Sequence, residues 1–431
     1  MKLLIKNGTV IDPKNKINSK KDVLIVNGKI EKIANKITTE KDTEVIDANG
    51  LIVAPGFIDM HVHLREPGRE DKETIATATR SAARGGLTTI VGMPNTTPNA
   101  DDQTVIGYVV SMAAKEGIVN VYPVGSLTKK SEGKELAQIG DLKRAGAIAV
   151  SDDGRGVQSA ALMKKAMEYL KKFDLPIISH SEDEHFGEDW AMHEGIVSTK
   201  LGLAGKPPAA EDVIIARDIV LSQATGYPIH FTHINSIGSV EMIRDAKKRG
   251  IKVTCDTCPH YFTLTDEAVI GYNPMAKMNP PLRPKEHLDE IKKGLKDGTI
   301  DAISTDHAPH LLVEKYYEFD DCENGIVGFE TSIALTMTHL VHKKIISTEQ
   351  MVMLMSTNPA DILKLKNKGH LSVGADADIT IIDSDKEEVI DKALFESKGK
   401  NTPFDGWALK GIPVYTIVCG KVVMKDRKIV V

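Results

Sequence analysis

The 431-residue sequence predicts an α/β fold: a TIM-type (β/α)8 barrel carrying a small β-sandwich domain built from both chain termini. Three observations lead there. In the middle of the chain, short runs rich in Val, Ile and Thr alternate eight times with helix-like segments over about 250 residues, the size of such a barrel. Both ends read instead as short strands broken by turns. Finally, nearly all the unusual polar residues of the middle stand at the C-terminal ends of its strands, the rim on which barrel enzymes build their sites.

Strand candidates in the N-terminal part are residues 3–5, 22–26 and 44–46, followed by Asn27-Gly28 and Asn49-Gly50. Asn-Gly between apolar runs is a strong hairpin signal, because a tight turn needs residues that tolerate positive φ. The apolar run 51–58 then leads into a first barrel strand ending at His61-Val62-His63. Seven more end in residues 89–95, 121–124, 148–153, 177–180, 229–233, 253–256 and 303–306. Helices are expected between them, among them residues 159–173 and 239–249, the latter stopped by Gly250. Strand texture returns after residue 370, with 379–383 and then 415–418 leading through Gly420-Lys421 into Val422-Val423. The simplest arrangement joins residues 1–54 and 366–431 in one β domain, which a catalytic barrel of residues 55–365 interrupts.

Composition narrows the function classes. Hydrophobic residues make up 41% and charged residues 27%, ordinary for a globular chain, and disorder is not expected. A formal charge of -5 without a long basic run argues against nucleic acid or an anionic membrane as partner and favours a small-molecule substrate. With neither a signal-peptide pattern nor an apolar run near the ~20 residues of a membrane span, a cytoplasmic protein is expected. Cys255, Cys258, Cys322 and Cys419 are too few for a disulfide framework. Cys255-Asp256-Thr257-Cys258 has the gap of a zinc knuckle, but no second pair completes one, and buried strand cysteines are the simpler reading.

A strand sends residues i and i+2 to the same face, so His61 and His63 set two imidazoles side by side. Strand ends add Asp153, His180, His233 and Asp306. Taken singly, His180 or His233 is as readily a hydrogen-bonded core histidine, and Asp153 in Ser-Asp-Asp-Gly a turn residue. Six on one rim point to a metal. Four imidazoles and two carboxylates suit zinc, one or two Zn2+ ions per subunit, with cobalt or manganese as substitutes.

Over essentially its whole length the chain resembles the amidohydrolase superfamily, and within it the class I dihydroorotases. The resemblance is carried by Pro55-Gly56-Phe57-Ile58-Asp59-Met60-His61-Val62-His63-Leu64-Arg65, Met93-Pro94-Asn95-Thr96, Ser151-Asp152-Asp153-Gly154, Met278-Asn279-Pro280-Pro281-Leu282-Arg283 and Thr305-Asp306-His307-Ala308-Pro309-His310. It implies reversible cyclisation of N-carbamoyl-L-aspartate to L-dihydroorotate in pyrimidine (UMP) biosynthesis. It also implies that Asp153 stands where relatives carry either an aspartate or a carboxylated lysine bridging two metals. Arg65, Asn95 and His310 match the positions that hold the substrate carboxylate, a task that suits the planar fork of arginine. His63 and Asn279 are implied as further substrate contacts, Asn279 at the ring. Where many relatives read Pro-Phe-Gly after strand eight, this chain reads Glu323-Asn324-Gly325, so Asn324 and Gly325 take the place of the backbone that touches the ring.

The expected mechanism is attack by metal-bound hydroxide on the ring amide, with Asp306 as general base and then general acid. A hydantoinase or allantoinase is the alternative with the same chemistry, although such relatives typically carry the bridging lysine. An alternative of another kind is a catalytically silent scaffold propping up aspartate transcarbamoylase, whose mark would be missing ligands. A homodimer is expected, with association to aspartate transcarbamoylase as a further partner implied by the resemblance.

Overall fold

The structure, a computed structural model, describes residues 2–187 and 190–431. Eight short parallel strands form the barrel: Phe57–Val62, Leu87–Gly92, Asn120–Ser126, Ala149–Ser151, Ile178–Ser179, Ile229–Phe231, Val253–Thr257 and Ala302–Ile303. Strands one to four pair in order, as do five to eight. Two bridges close the ring, Val150 with Ile177 between strands four and five, and Val62 with His307 between the end of strand eight and strand one. The strands are short, yet side chains of the first two are wholly buried, as expected of parallel strands covered on both faces.

Between the strands run helices such as Ile75–Gly85, Ala160–Leu170, Ala209–Thr225 and Ile237–Lys248. Their starts follow from capping chemistry: the side chain of Ser159 accepts the Leu162 N–H and that of Ser236 the Ser239 N–H, so the expected helix at 239–249 begins slightly earlier. Gly250, with φ of 76°, ends it as expected. Ile75, Ala82, Leu87, Ile90, Met163, Met167, Ile215, Phe231, Ile243 and Phe329 belong to one continuous core that seals helices to strands. Such a rigid frame fixes where the strand ends point.

The chain ends build a nine-stranded sheet in which Ile52–Pro55 pairs antiparallel with Ile379–Val389, so the two termini form one unit as expected. Ile30 from one end of that sheet shares a core with Val414 and Ile417 from the other, so its halves face each other across one apolar layer. Asn27-Gly28 makes the expected hairpin turn, with φ of 49° and 79° between Ile17–Val26 and Lys29–Ala34. Asn49-Gly50 does not. The segments flanking it, Glu44–Asp47 and Ile52–Pro55, both lie parallel to Lys2–Asp12, which is irregular between Ile5 and Gly8 and receives them one after the other. Gly56 marks the passage from sheet to barrel, where a Cβ would come within 2.1 Å of Thr88 Oγ1.

Candidate metal centre and substrate cavity

The six strand-end residues converge. His61, His63 and Asp306 bring one ligand atom each within 4.8 Å of one another, and so do His61, Asp153 and His233. Asp153 faces both groups: its Oδ1 lies 3.2 Å from His61 Nε2 and 3.6 Å from His180 Nδ1, while its Oδ2 lies 3.7 Å from His63 Nε2. On the far side Asp306 Oδ1 is 2.9 Å from His63 Nε2 and 3.5 Å from His61 Nε2. Buried and without hydrogen-bond partners among the described residues are His61 Nε2 and Asp153 Oδ1. Buried polar atoms are ordinarily paired, so two lone pairs aimed at one point fit a cation there.

Hydrogen bonds behind the ligands choose which nitrogen faces inward. His61 Nδ1 meets Thr232 Oγ1 at 2.6 Å, and Thr232 in turn donates to Asp256 at 3.1 Å. With its hydroxyl proton on Asp256, Thr232 can only accept from His61, so the proton of a neutral His61 sits on Nδ1 and Nε2 is left as a ligand. His63 Nδ1 is fixed likewise by Asn95 Oδ1 at 2.9 Å, and His180 Nε2 by Glu182 Oε2 at 3.2 Å. Asp256 also accepts the backbone N–H of His233 at 2.7 Å. That bond holds a residue whose φ is 42°; Arg65 at 60° and Asp306 at 51° are likewise in the left-handed region. Non-glycine residues adopt it at a cost, in turns as at Asn27 and here at three positions of one rim.

Electrostatics agree with a cation-binding centre. Burial alone would discharge His61, but Asp153 and then Asp306 outweigh it and push the imidazole up to about 10. Burial would likewise raise Asp306, yet the hydrogen bond to His63 and the charge of His61 hold its carboxyl well below the usual range. Clustered carboxylates thus draw positive charge into a buried site, and a metal ion is the usual way to supply it.

A cavity of about 240 Å3 opens beside the centre. His63, Arg65, Asn95, Asn279, His310, Asn324 and Gly325 all line it, together with Gly154, Ala308 and Glu323. Arg65 spans its wall, with Nε donating to the Pro309 carbonyl at 3.1 Å and Nη2 lying 3.1 Å from His310 Nε2. Buried and without hydrogen-bond partners among the described residues are Asn279 Oδ1 and Asn324 Oδ1. Gly325 has φ of 105°, and a Cβ there would approach Ala308 Cβ to 2.7 Å, so the wall needs glycine at this point. Sequence reasoning missed the supporting residues Thr232, Asp256 and Glu182. Asp256 could have been found, because it too stands near the end of a barrel strand.

Comparison with known proteins gives the family. A family model described as Dihydro-orotase-like matches residues 50–239, and an Amidohydrolase family model matches residues 226–424. The dihydroorotase of Citrifermentans bemidjiense is 52% identical over 423 residues, 98% of this chain and 99% of the relative. That of Pelotomaculum thermopropionicum is 52% identical over 429 residues and covers 100% of both. Among solved structures, the L-hydantoinase (dihydropyrimidinase) of Arthrobacter aurescens superposes with a TM-score of 0.90 at 26% identity, covering 100% of this chain and 97% of that one. Full-length identity at this level places the chain in the dihydroorotase family of the amidohydrolases.

Proposed function

We propose that the protein is a metal-dependent dihydroorotase, which closes N-carbamoyl-L-aspartate to L-dihydroorotate with release of water and reopens the ring in reverse. The observation that carries this reading is the adjacency of two features: a buried His and Asp centre with unpaired lone pairs, and a cavity whose wall presents Arg65 and His310 side by side. One feature suits hydrolysis of an amide, the other recognition of a carboxylate.

His61, His63, Asp153, His180, His233 and Asp306 would hold zinc, Asp153 standing between the two groups of ligand atoms. When bound, such an ion polarises the ring carbonyl and lowers the pKa of a water it holds to roughly 7. The chain's own residues do the rest. Arg65, Asn95 and His310 hold the carboxylate, Asn279 and the backbone at Asn324-Gly325 face the ring, and His63 flanks it. Asp306, kept ionised by its imidazole neighbours, takes the proton of the attacking water and returns it to the ring nitrogen that leaves.

The signs of the pH dependence follow. Ring opening needs Asp306 ionised and fails as pH falls, whereas ring closure needs a proton on Asp306 and fails as pH rises. Assaying dihydroorotate beside a hydantoin, with metal analysis of the same preparation, tests the proposal. Turnover of dihydroorotate that disappears on chelation and returns with zinc is expected; preferential turnover of the hydantoin would transfer the chain to the other activity.

A further inference from the structure

We infer that Lys72 is a positioning residue that fixes the tautomer of His310, so that the Nε2 edge of that ring becomes a donor for the substrate carboxylate. The inference rests on the proposed role of Arg65 and His310 as carboxylate binders. Lys72 is only 3% exposed, and its Nζ has three close neighbours: Glu314 Oε2 at 2.9 Å, His310 Nδ1 at 3.1 Å and Glu323 Oε1 at 3.4 Å. An ammonium has three hydrogens and no lone pair. Each neighbour takes one, which assigns His310 Nδ1 as an acceptor; Arg65 Nη2 offers the opposite assignment at Nε2 from the same 3.1 Å, and a neutral ring can accept from only one of the two.

Burial, with Arg65 and Lys72 adding to it, drives the pKa of His310 well below the ordinary histidine value, so the ring is neutral and carries one N–H. With Nδ1 accepting, that N–H is on Nε2. Nε2 lies on the cavity side, 3.8 Å from where a Cβ on Gly325 would stand, and 3.1 Å from Arg65 Nη2. Guanidinium nitrogens only donate. Two donors at that separation cannot satisfy each other, and what pairs with both is an anionic oxygen placed between them.

Without Lys72 the ring would be free to turn its proton to Nδ1, toward Glu314 at 3.7 Å and Glu323 at 4.0 Å. The Nε2 lone pair would then meet the carboxylate head-on. Such a change weakens substrate binding and leaves the proton shuttle at Asp306 untouched, which separates it from damage to the metal centre.

Magnetic resonance of the zinc-loaded enzyme with isotope-labelled histidine nitrogens decides the matter, the His310 signals being those lost in His310→Gln. The wild type should show Nε2–H. Lys72→Met should shift His310 toward Nδ1–H and raise KM for dihydroorotate about tenfold or more, with kcat within about threefold. Lys72→Arg, which still donates, should keep Nε2–H and recover most of the KM. An Nδ1–H ring in the wild type overturns the inference, and so does Lys72→Met with Nε2–H retained. Should Lys72→Met fail to fold, the wild-type spectrum still decides the tautomer. Failure of the carboxylate reading would appear differently, as indifference of the wild type to dihydroorotate with the tautomer still legible.

Discussion

Two of the charge clusters buried in this molecule are completed in opposite ways. Where the barrel helix Ile75–Gly85 meets the terminal sheet, Glu330 accepts from Arg84, from Ser81 at 2.9 Å and from the Glu396 N–H at 2.7 Å. Arg427 in turn donates to the carbonyls of Arg84 and Glu330. At the rim, by contrast, the atoms left without hydrogen-bond partners among the described residues, His61 Nε2 and Asp153 Oδ1, converge on one another at 3.2 Å beside further imidazoles and a second carboxylate. Burial of charge does not by itself mark a functional site. Convergent lone pairs that nothing among the described residues satisfies do, because their desolvation is otherwise uncompensated.

Breaking the rim should therefore destroy chemistry and spare the fold. The largest effect is expected for His61→Ala, which removes a ligand shared by both groups of metal-binding atoms. Losing a metal's several kcal/mol of transition-state stabilisation corresponds to a fall on the order of a thousandfold or more in kcat. Metal analysis should show depletion while circular dichroism stays native. Next comes Asp306→Asn, which keeps size and a possible metal contact but cannot accept a proton. A fall in kcat of at least ~100-fold with most metal retained is expected. Near-normal turnover with unchanged pH profiles in both directions would leave Asp306 a structural ligand, and His310 would be the next shuttle to test.

A smaller effect sharpens the comparison from behind the ligands. Thr232→Val keeps the shape of the side chain and deletes the hydroxyl that fixes the His61 tautomer, so metal affinity should fall about 10- to 100-fold. If metal titration shows no change, the orientation of His61 is set by packing alone. This residue also shows where the sequence stops being legible. The six rim residues stand out in sequence because each interrupts or ends an apolar run at a strand's C-terminus. Thr232, by contrast, is an ordinary polar residue just past strand six whose meaning depends on Asp256, brought to it only by the pairing of strands six and seven. Lys72 is hidden for the same reason, since it meets His310 across 238 positions of sequence. Asn49-Gly50 misled in the reverse sense: its local turn signal was real, but the neighbouring strand claimed both flanking segments.

The smallest effect on catalysis, and the one that tests the other half of the comparison, is expected from Arg84→Met. Arg84 is buried, its Nε donates to the Arg427 carbonyl at 3.1 Å, and its guanidinium is the charge that Glu330 faces. None of these partners is a rim ligand, so kcat, KM and metal content should stay near wild type. Stability should not. Removing one partner of a buried ion pair leaves the other charge uncompensated and costs about 3–5 kcal/mol. The sign of the pH dependence can be worked out from Glu330. Burial already pushes its pKa above the ordinary carboxyl value of 4.5, with Arg84 pulling it back down. Taking Arg84 away raises it further, and a carboxyl whose folded-state pKa is raised favours the folded state most below its unfolded value, losing that advantage as pH rises. Destabilisation by Arg84→Met should therefore be greatest at neutral and alkaline pH and shrink as pH falls toward the carboxyl range, where Glu330 takes up a proton. Urea unfolding of both proteins at several pH values measures this directly. A pH-independent difference would mean that Arg84 contributes packing rather than charge; a loss of activity with stability intact would mean that the two clusters are not separate.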